Sequence, residues 1–172
     1  MSHLLLVGFM GAGKSTVARI VAERLGMPCI DLDRMVEDSD GRDIARIFAE
    51  DGELAFRQRE TAALASLTGR PDSVVACGGG VVTRDENRAL LKSLGFVVYL
   101  RVTAEEMLAR VGEDPHRPLL AGGGGVLAAT MLLDARESLY SAVADAVVDT
   151  VDCSPETVAD EIVGLLRSTA AL

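Results

Sequence analysis

Gly8-Phe9-Met10-Gly11-Ala12-Gly13-Lys14-Ser15 follows the spacing G-x-x-x-x-G-K-[ST], and each residue type in it suits one part of a polyphosphate. Glycines let the backbone wrap phosphate oxygens with its N–H groups, a lysine reaches the outer phosphates, and a serine hydroxyl can ligate Mg2+. The flanks make the pattern informative. Residues 4–7 are an apolar run and a helix-forming stretch opens at Thr16, so the glycines lie where a strand gives way to a helix whose positive N-terminal end points at the same charge. Gly11, Ala12, Gly13, Lys14, Ser15 and Thr16 are therefore expected to bind a nucleoside triphosphate.

Two carboxylates, Asp31 and Asp33, bracket Leu32 at the end of a second apolar run, 29–32. In an extended strand residues two apart face the same way, which would turn both into the cleft beside the phosphates. Asp31 would support Mg2+, through water because that ion keeps much of its hydration, and Asp33 would accept a hydrogen bond from the attacking hydroxyl of the substrate. Arg57 and Glu60, three apart in a helical run, share a face, and an arginine braced by a glutamate is a rigid fork for a carboxylate. Taken singly these features have plainer readings: strand-end carboxylates cap helices, and ion pairs at this spacing usually coat a helix surface. Arg136, four before Tyr140 on a later helix, is equally unremarkable by itself.

The elements that must position these groups alternate. Apolar runs at 4–7, 29–32, 74–77, 97–100 and 146–151 have the continuous character of parallel strands buried on both faces, and amphipathic patterns at 16–25, 53–67, 86–94, 104–111 and 156–166 read as helices. Thr103 with Glu106 makes a capping box, and Ser154 before Pro155 is a cap ahead of a proline at the first helical position. The fold class that follows is α/β, three layers around a mostly parallel five-stranded sheet, with ligands beyond the carboxyl ends of the strands. Two stretches break the rhythm. Gly78-Gly79-Gly80 directly follows a strand, and 112–125, which holds His116-Arg117-Pro118 and Gly122-Gly123-Gly124-Gly125, reads as a mobile lid.

The 172 residues suit a single domain, 1–172, with a substantial core. No apolar run approaches the roughly 20 residues that span a membrane, and the N-terminus has no signal-peptide pattern, so a cytoplasmic protein is expected. Net charge of -9 argues against a surface for nucleic acid or anionic lipid. Cys29, Cys77 and Cys153 are scattered, with no CxxC and two histidines, and are expected to be buried free thiols rather than disulfides or zinc ligands. No heptad or long apolar stripe is present, which makes a monomer the default.

Taken together, the phosphate cradle at 8–16, Asp31-Leu32-Asp33, Phe56-Arg57 with Glu60, Gly78-Gly79-Gly80-Val81, Arg117-Pro118-Leu119-Leu120 and Arg136 with Tyr140 resemble, in order and spacing, the shikimate kinases, P-loop enzymes that phosphorylate shikimate at its 3-hydroxyl with ATP. The resemblance runs from Leu4 to about Leu166. It implies a P-loop kinase fold and Mg2+-dependent transfer of the ATP γ-phosphate within aromatic amino-acid biosynthesis. It further implies that Asp33, Arg57, Gly79 and Arg136, with the neighbouring Gly78 and Gly80, hold shikimate, both arginines taking its carboxylate. Glu60 would orient Arg57, Ser15 and Asp31 would serve the Mg2+, Arg110 would pack on the adenine, and Arg117 would close over the phosphates. Lys14, Asp33 and Arg117 are then the catalytic set. The chain departs from the family pattern at Ala121 to Gly125 and the apolar 126–133 that follow, where many relatives carry a polar helix-forming stretch, and at Asp152-Cys153-Ser154-Pro155, where they often place a basic residue. The other readings are a kinase of a different polyhydroxy acid such as gluconate, and a nucleotide-binding homologue without catalysis.

Overall fold

The computed structural model describes residues 3–111 and 125–170. Five strands, β1 (His3–Val7), β2 (Cys29–Asp31), β3 (Ser73–Ala76), β4 (Gly95–Arg101) and β5 (Ala146–Asp149), form a parallel sheet in the order β2-β3-β1-β4-β5. The strands fall where the apolar runs predict them. Leu4 to Val7 and Val97 to Leu100 are all buried, as a sheet covered on both faces requires.

Among the described residues six α-helices lie between the strands, α1 (Lys14–Leu25), α2 (Leu32–Asp40), α3 (Ile44–Ala65), α4 (Asp85–Leu94), α5 (Ala104–Val111) and α6 (Gly125–Val143), and a seventh, α7 (Pro155–Ala170), follows β5. The right-handed crossover rule sorts them. The chain leaves central β1 toward the β2 edge through α1, then returns toward β5 through α3, α4 and α6, so α1 lies on one face and these three on the other. The contacts agree, with α1 against α7 on the first face and α4 against both α3 and α6 on the second. Both predicted N-caps accept their amide: the Thr103 hydroxyl from Glu106 N at 3.2 Å and Ser154 from Thr157 N at 3.2 Å, while the Glu106 carboxylate turns to Arg110 instead of closing a capping box. Among the described residues, no helix is long and apolar enough to cross a membrane.

The reversal of direction occurs between β1 and β3, whose chains leave toward opposite sides. A crevice opens there at the carboxyl ends of the strands, and the segments bordering it are 8–13 after β1 and 78–80 after β3.

Three expectations change. The second apolar run ends as a strand at Asp31, and Leu32 opens a helix, so the pleat does not set the direction of Asp33. The helical pattern at 53–67 is the latter part of a longer element, α3, broken at Gly52 (φ 83, ψ 171). Of the three thiols, all free, Cys77 alone is buried, Cys153 is partly exposed and Cys29, on the edge strand, is exposed. Of the segment read as a lid, 112–125, residues 112–124 lie outside the described residues, Arg117 with them, and Gly125 is the first residue of α6.

Gly95 pairs with His3 where β4 begins, and a Cβ on it would overlap the His3 backbone. Gly95→Ala must pry β4 from β1 at that point. The expected cost is about 1–3 kcal/mol, measured by urea unfolding; an unchanged midpoint would show that this end of the pair has slack.

Candidate active site

The phosphate cradle is built by the turn from β1 into α1. Gly13 caps α1 in the left-handed region (φ 86, ψ 15), where a side chain is strained and glycine is not, and this turn presents the first amides of α1 to the crevice. Lys14 Nζ lies over the loop, donating to the carbonyls of Gly8 (2.8 Å) and Phe9 (2.9 Å). Its charge is thus held at the place where outer phosphates would sit.

Beside the cradle, the Ser15 hydroxyl donates to Asp31 Oδ2 at 2.7 Å. Asp31 is also the N-cap of α2, its Oδ1 accepting from the amides of Asp33 (3.1 Å) and Arg34 (3.3 Å). The plainer of the two readings weighed from the sequence, a carboxylate that caps the next helix, therefore holds for Asp31, while its second oxygen is turned to Ser15. Capping turns the chain into α2 and sends Asp33 into the crevice from a helix rather than from a strand. Ser15 and Asp31 put two hard oxygen donors next to the cradle, a set that fits Mg2+, which takes few protein ligands and leaves its other positions to water and phosphate. Among the described residues no three His, Cys, Asp or Glu side chains gather as a metal cage.

Across the crevice, Arg57 is gripped on both sides: Nη1 donates to Glu60 Oε2 at 3.0 Å, and Nη2 to Glu53 Oε1 at 3.1 Å. The guanidinium lies where Gly80 has no Cβ; any side chain there would overlap it. Gly78 is bare for a related reason. A Cβ on it would stand 2.7 Å from both Asp33 Oδ1 and Glu60 Oε1, two buried oxygens with no hydrogen-bond partner among the described residues. Gly79 contributes its carbonyl, which accepts from the Tyr140 hydroxyl and, at 3.5 Å, from Arg136 Nη1. Arg136 also lies over the Phe9 ring, 5.8 Å from its centroid. Each glycine of the 78–80 run thus makes room for, or anchors, a different charged or phenolic side chain.

The charges perturb one another. Burial and then the Asp31 carboxylate push the Asp33 pKa up, against the pull of Lys14 and Arg57. Glu60 is raised by burial, with Arg57 opposing. For Arg57, burial disfavours the cation, but Glu60 and Glu53 together more than restore it and its pKa is raised. Tyr140 is raised by burial, so its hydroxyl remains a donor to Gly79.

A cavity of about 410 Å3 adjoins the other side of the cradle, lined by Gly11, Thr16, Arg110, Thr150, Cys153 and Pro155 among others. Arg110 is placed there by three partners among the described residues. It donates to Glu106 at 3.0 Å, to Thr150 Oγ1 at 3.1 Å and to the Gly11 carbonyl at 3.3 Å, tying α5 and the segment after β5 to the cradle.

Two clusters therefore assemble from the residues singled out in the sequence: Gly11, Ala12, Gly13 and Thr16 with Arg110 around the cavity, and Asp33, Arg57, Glu60, Gly78 to Gly80 and Arg136 across the crevice, with Lys14, Ser15 and Asp31 at the cradle. Sequence reasoning missed Glu53, Phe9 and Thr150. Glu53 was legible as the i−4 partner of Arg57. Phe9 falls at a variable position of the cradle pattern, and Thr150 carries no local signal.

Comparison with known proteins bears on this arrangement. The family model for shikimate kinase matches residues 10–167. A shikimate kinase of Marinomonas sp. (strain MWYL1) is 40% identical over 167 residues, covering 96% of this chain and 92% of the relative, and one of Vibrio parahaemolyticus is 44% identical over 165 residues, covering 96% of each. The solved structure of shikimate kinase from Acinetobacter baumannii in complex with shikimate superposes with a TM-score of 0.94 at 40% identity, covering 98% of this chain and 94% of that one. With the sheet order, the cradle and nearly the whole length in agreement, the chain belongs to the shikimate kinase family.

Proposed function

We propose that the protein transfers the γ-phosphate of ATP to the 3-hydroxyl of shikimate, giving shikimate 3-phosphate and ADP. The observation that carries this reading is the convergence of Arg57, Arg136 and Asp33 on the glycine run 78–80, across the crevice from the phosphate cradle. Two fixed guanidiniums beside a carboxylate oxygen with no hydrogen-bond partner among the described residues suit a small acid that also bears hydroxyls. The binding of shikimate by the Acinetobacter baumannii relative supports the same substrate.

In this reading Arg57 and Arg136 hold the substrate carboxylate and so fix the ring, which turns a bimolecular encounter into an aligned one. Asp33 Oδ1 accepts the proton of the attacking hydroxyl. The raised pKa of its carboxyl suits that task, since a stronger base is the better acceptor. As the hydroxyl oxygen bonds to the γ-phosphorus, the bond from that phosphorus to ADP breaks, and negative charge spreads over the equatorial oxygens. Lys14 and the cradle amides answer that charge. Arg117, in the segment outside the described residues, is assigned to the same task on the family resemblance. Mg2+ would be held by Ser15 and Asp31 and would, when bound, offset phosphate negative charge. Arg110 and the 410 Å3 cavity would take the nucleoside.

Coupled ADP release across shikimate, quinate and gluconate should show turnover with shikimate at least about 100-fold above the other two, since a pocket built to pair with particular polar groups rejects ligands that leave them unpaired. Turnover with gluconate in preference to shikimate would overturn the substrate assignment.

Arg136→Ala should weaken shikimate binding by about 2–4 kcal/mol in calorimetric titration while leaving an ATP analogue within about twofold. Arg57→Ala should weaken it similarly but also lower the melting temperature, because it leaves buried Glu60 without the cation that pairs with it. Equal losses for both ligands would make these arginines part of the scaffold.

A further inference from the structure

Away from the crevice, α2 and α3 form a lobe with its own small core, in which Val36, Ile47 and Phe56 cluster apart from the main core. Three buried side chains constrain the angle between two helices weakly. The lobe nevertheless carries Asp33 at the start of α2 and Arg57 beyond the middle of α3, so that angle sets the spacing of two proposed substrate contacts. The break at Gly52 adds a second degree of freedom, because it divides α3 into a part before and a part after the joint. A Cβ on Gly52 would meet nothing within 4 Å. Glycine is therefore needed there for its backbone conformation, φ 83 and ψ 171, and not for space.

A network of ions closes around this joint. Asp40, the last residue of α2, has a side chain only 9% exposed and accepts from Arg42 Nε at 2.5 Å and from Arg59 Nε at 2.6 Å. Asp51, directly before the joint, accepts from Arg42 Nη2 at 2.7 Å and Arg59 Nη2 at 2.6 Å. Glu50 joins through Arg42 at 2.8 Å and Arg46 at 2.7 Å. Hydrogen bonds from Arg42, with burial opposing and Arg59 assisting, hold the Asp40 pKa down at about 2. Arg59 thus spans the joint to Asp51 and reaches the end of α2 through Asp40. Two residues away along the helix, about 200° around its axis, Arg57 points to the crevice. Glu53, the first residue past the joint, grips Arg57 directly.

We propose that Arg59, with Asp51, Asp40 and Arg42, locks the Gly52 joint and thereby positions Arg57 opposite Asp33, making Arg59 and Asp51 positioning residues for the acid substrate. The inference rests on the reading of Arg57 as a carboxylate-binding residue. The network touches neither the cradle nor the nucleotide cavity, so its effect falls on shikimate alone. An exposed ion pair contributes little to stability by itself; networked across a joint, these pairs act on geometry.

The test is steady-state kinetics of the full chain carrying Arg59→Met, Asp51→Asn, both together, Arg59→Lys, or Gly52→Ala. Arg59→Met and Asp51→Asn should each raise KM for shikimate about 5- to 20-fold, with some loss of kcat because the ring is less well aligned, while KM for ATP stays within about twofold. The double variant should do no more than the worse single one, as members of one network are not additive, and Arg59→Lys should recover much of the loss because it keeps the charge. Gly52→Ala removes no charge, yet should show the same selective rise, because alanine favours a continuous helix through the joint. An Arg59→Met enzyme with the parent KM for shikimate would overturn the proposal, as would a parallel rise in both KM values. The unsubstituted enzyme, assayed alongside with shikimate, tests the functional reading separately: absent turnover there sinks that reading, whereas normal turnover with indifferent variants sinks only the positioning role.

Discussion

A carboxylate with no exposed surface must be paired or lose its charge, and Glu60, 0% exposed, is paired with Arg57. Much of the crevice follows from that one ion pair. The guanidinium can lie where it does only because Gly80 has no side chain, and Glu60 can turn its other oxygen toward Gly78 only because that residue is equally bare. A lone buried arginine would be costly and a loose surface one would wander. Held between Glu60 and Glu53, it keeps its charge and its direction, which is what recognition of a planar anion needs.

Sheet order determines where this pair meets the nucleotide machinery. With β1 and β3 adjacent and their connections leaving on opposite sides, the cradle and the glycine run become the two lips of one crevice. Beyond the other strands, Asp31 at the end of β2 reaches Ser15, and Thr150 just after β5 fixes Arg110 against Gly11. Phosphoryl transfer demands mainly alignment and electrostatic support. A parallel sheet supplies both by delivering its loops to a single edge.

The strands were legible because a sheet covered on both faces writes continuous apolar runs, and the cradle because phosphate binding demands glycines at fixed spacing. Asp31-Leu32-Asp33 shows the limit of local reading. The same three residues are a plausible strand end and a plausible helix start; the decision for the helix comes from the capping bonds of Asp31 to the amides of Asp33 and Arg34. Gly52 was hidden for a different reason. Its neighbours keep a helical pattern, and the residues that brace the break, Asp40 and Arg42, belong to the preceding helix and loop. Arg57, Glu60 and Arg136 were unremarkable as single features and gained meaning only as a set, since their convergence on 78–80 is a property of topology. Burial of Cys77 but not Cys29 likewise depends on which strand lies at the edge.

The central claim is that the 78–80 run shapes the substrate side of the crevice by what its glycines lack. Gly78→Ala tests it most directly, because the added methyl would press on both Asp33 Oδ1 and Glu60 Oε1, each 2.7 Å from its position. Calorimetric titration of the variant should show shikimate affinity reduced by at least about tenfold, equivalent to about 1.4 kcal/mol, with an ATP analogue bound as before. Unchanged shikimate affinity, or equal losses for both ligands, would contradict the account.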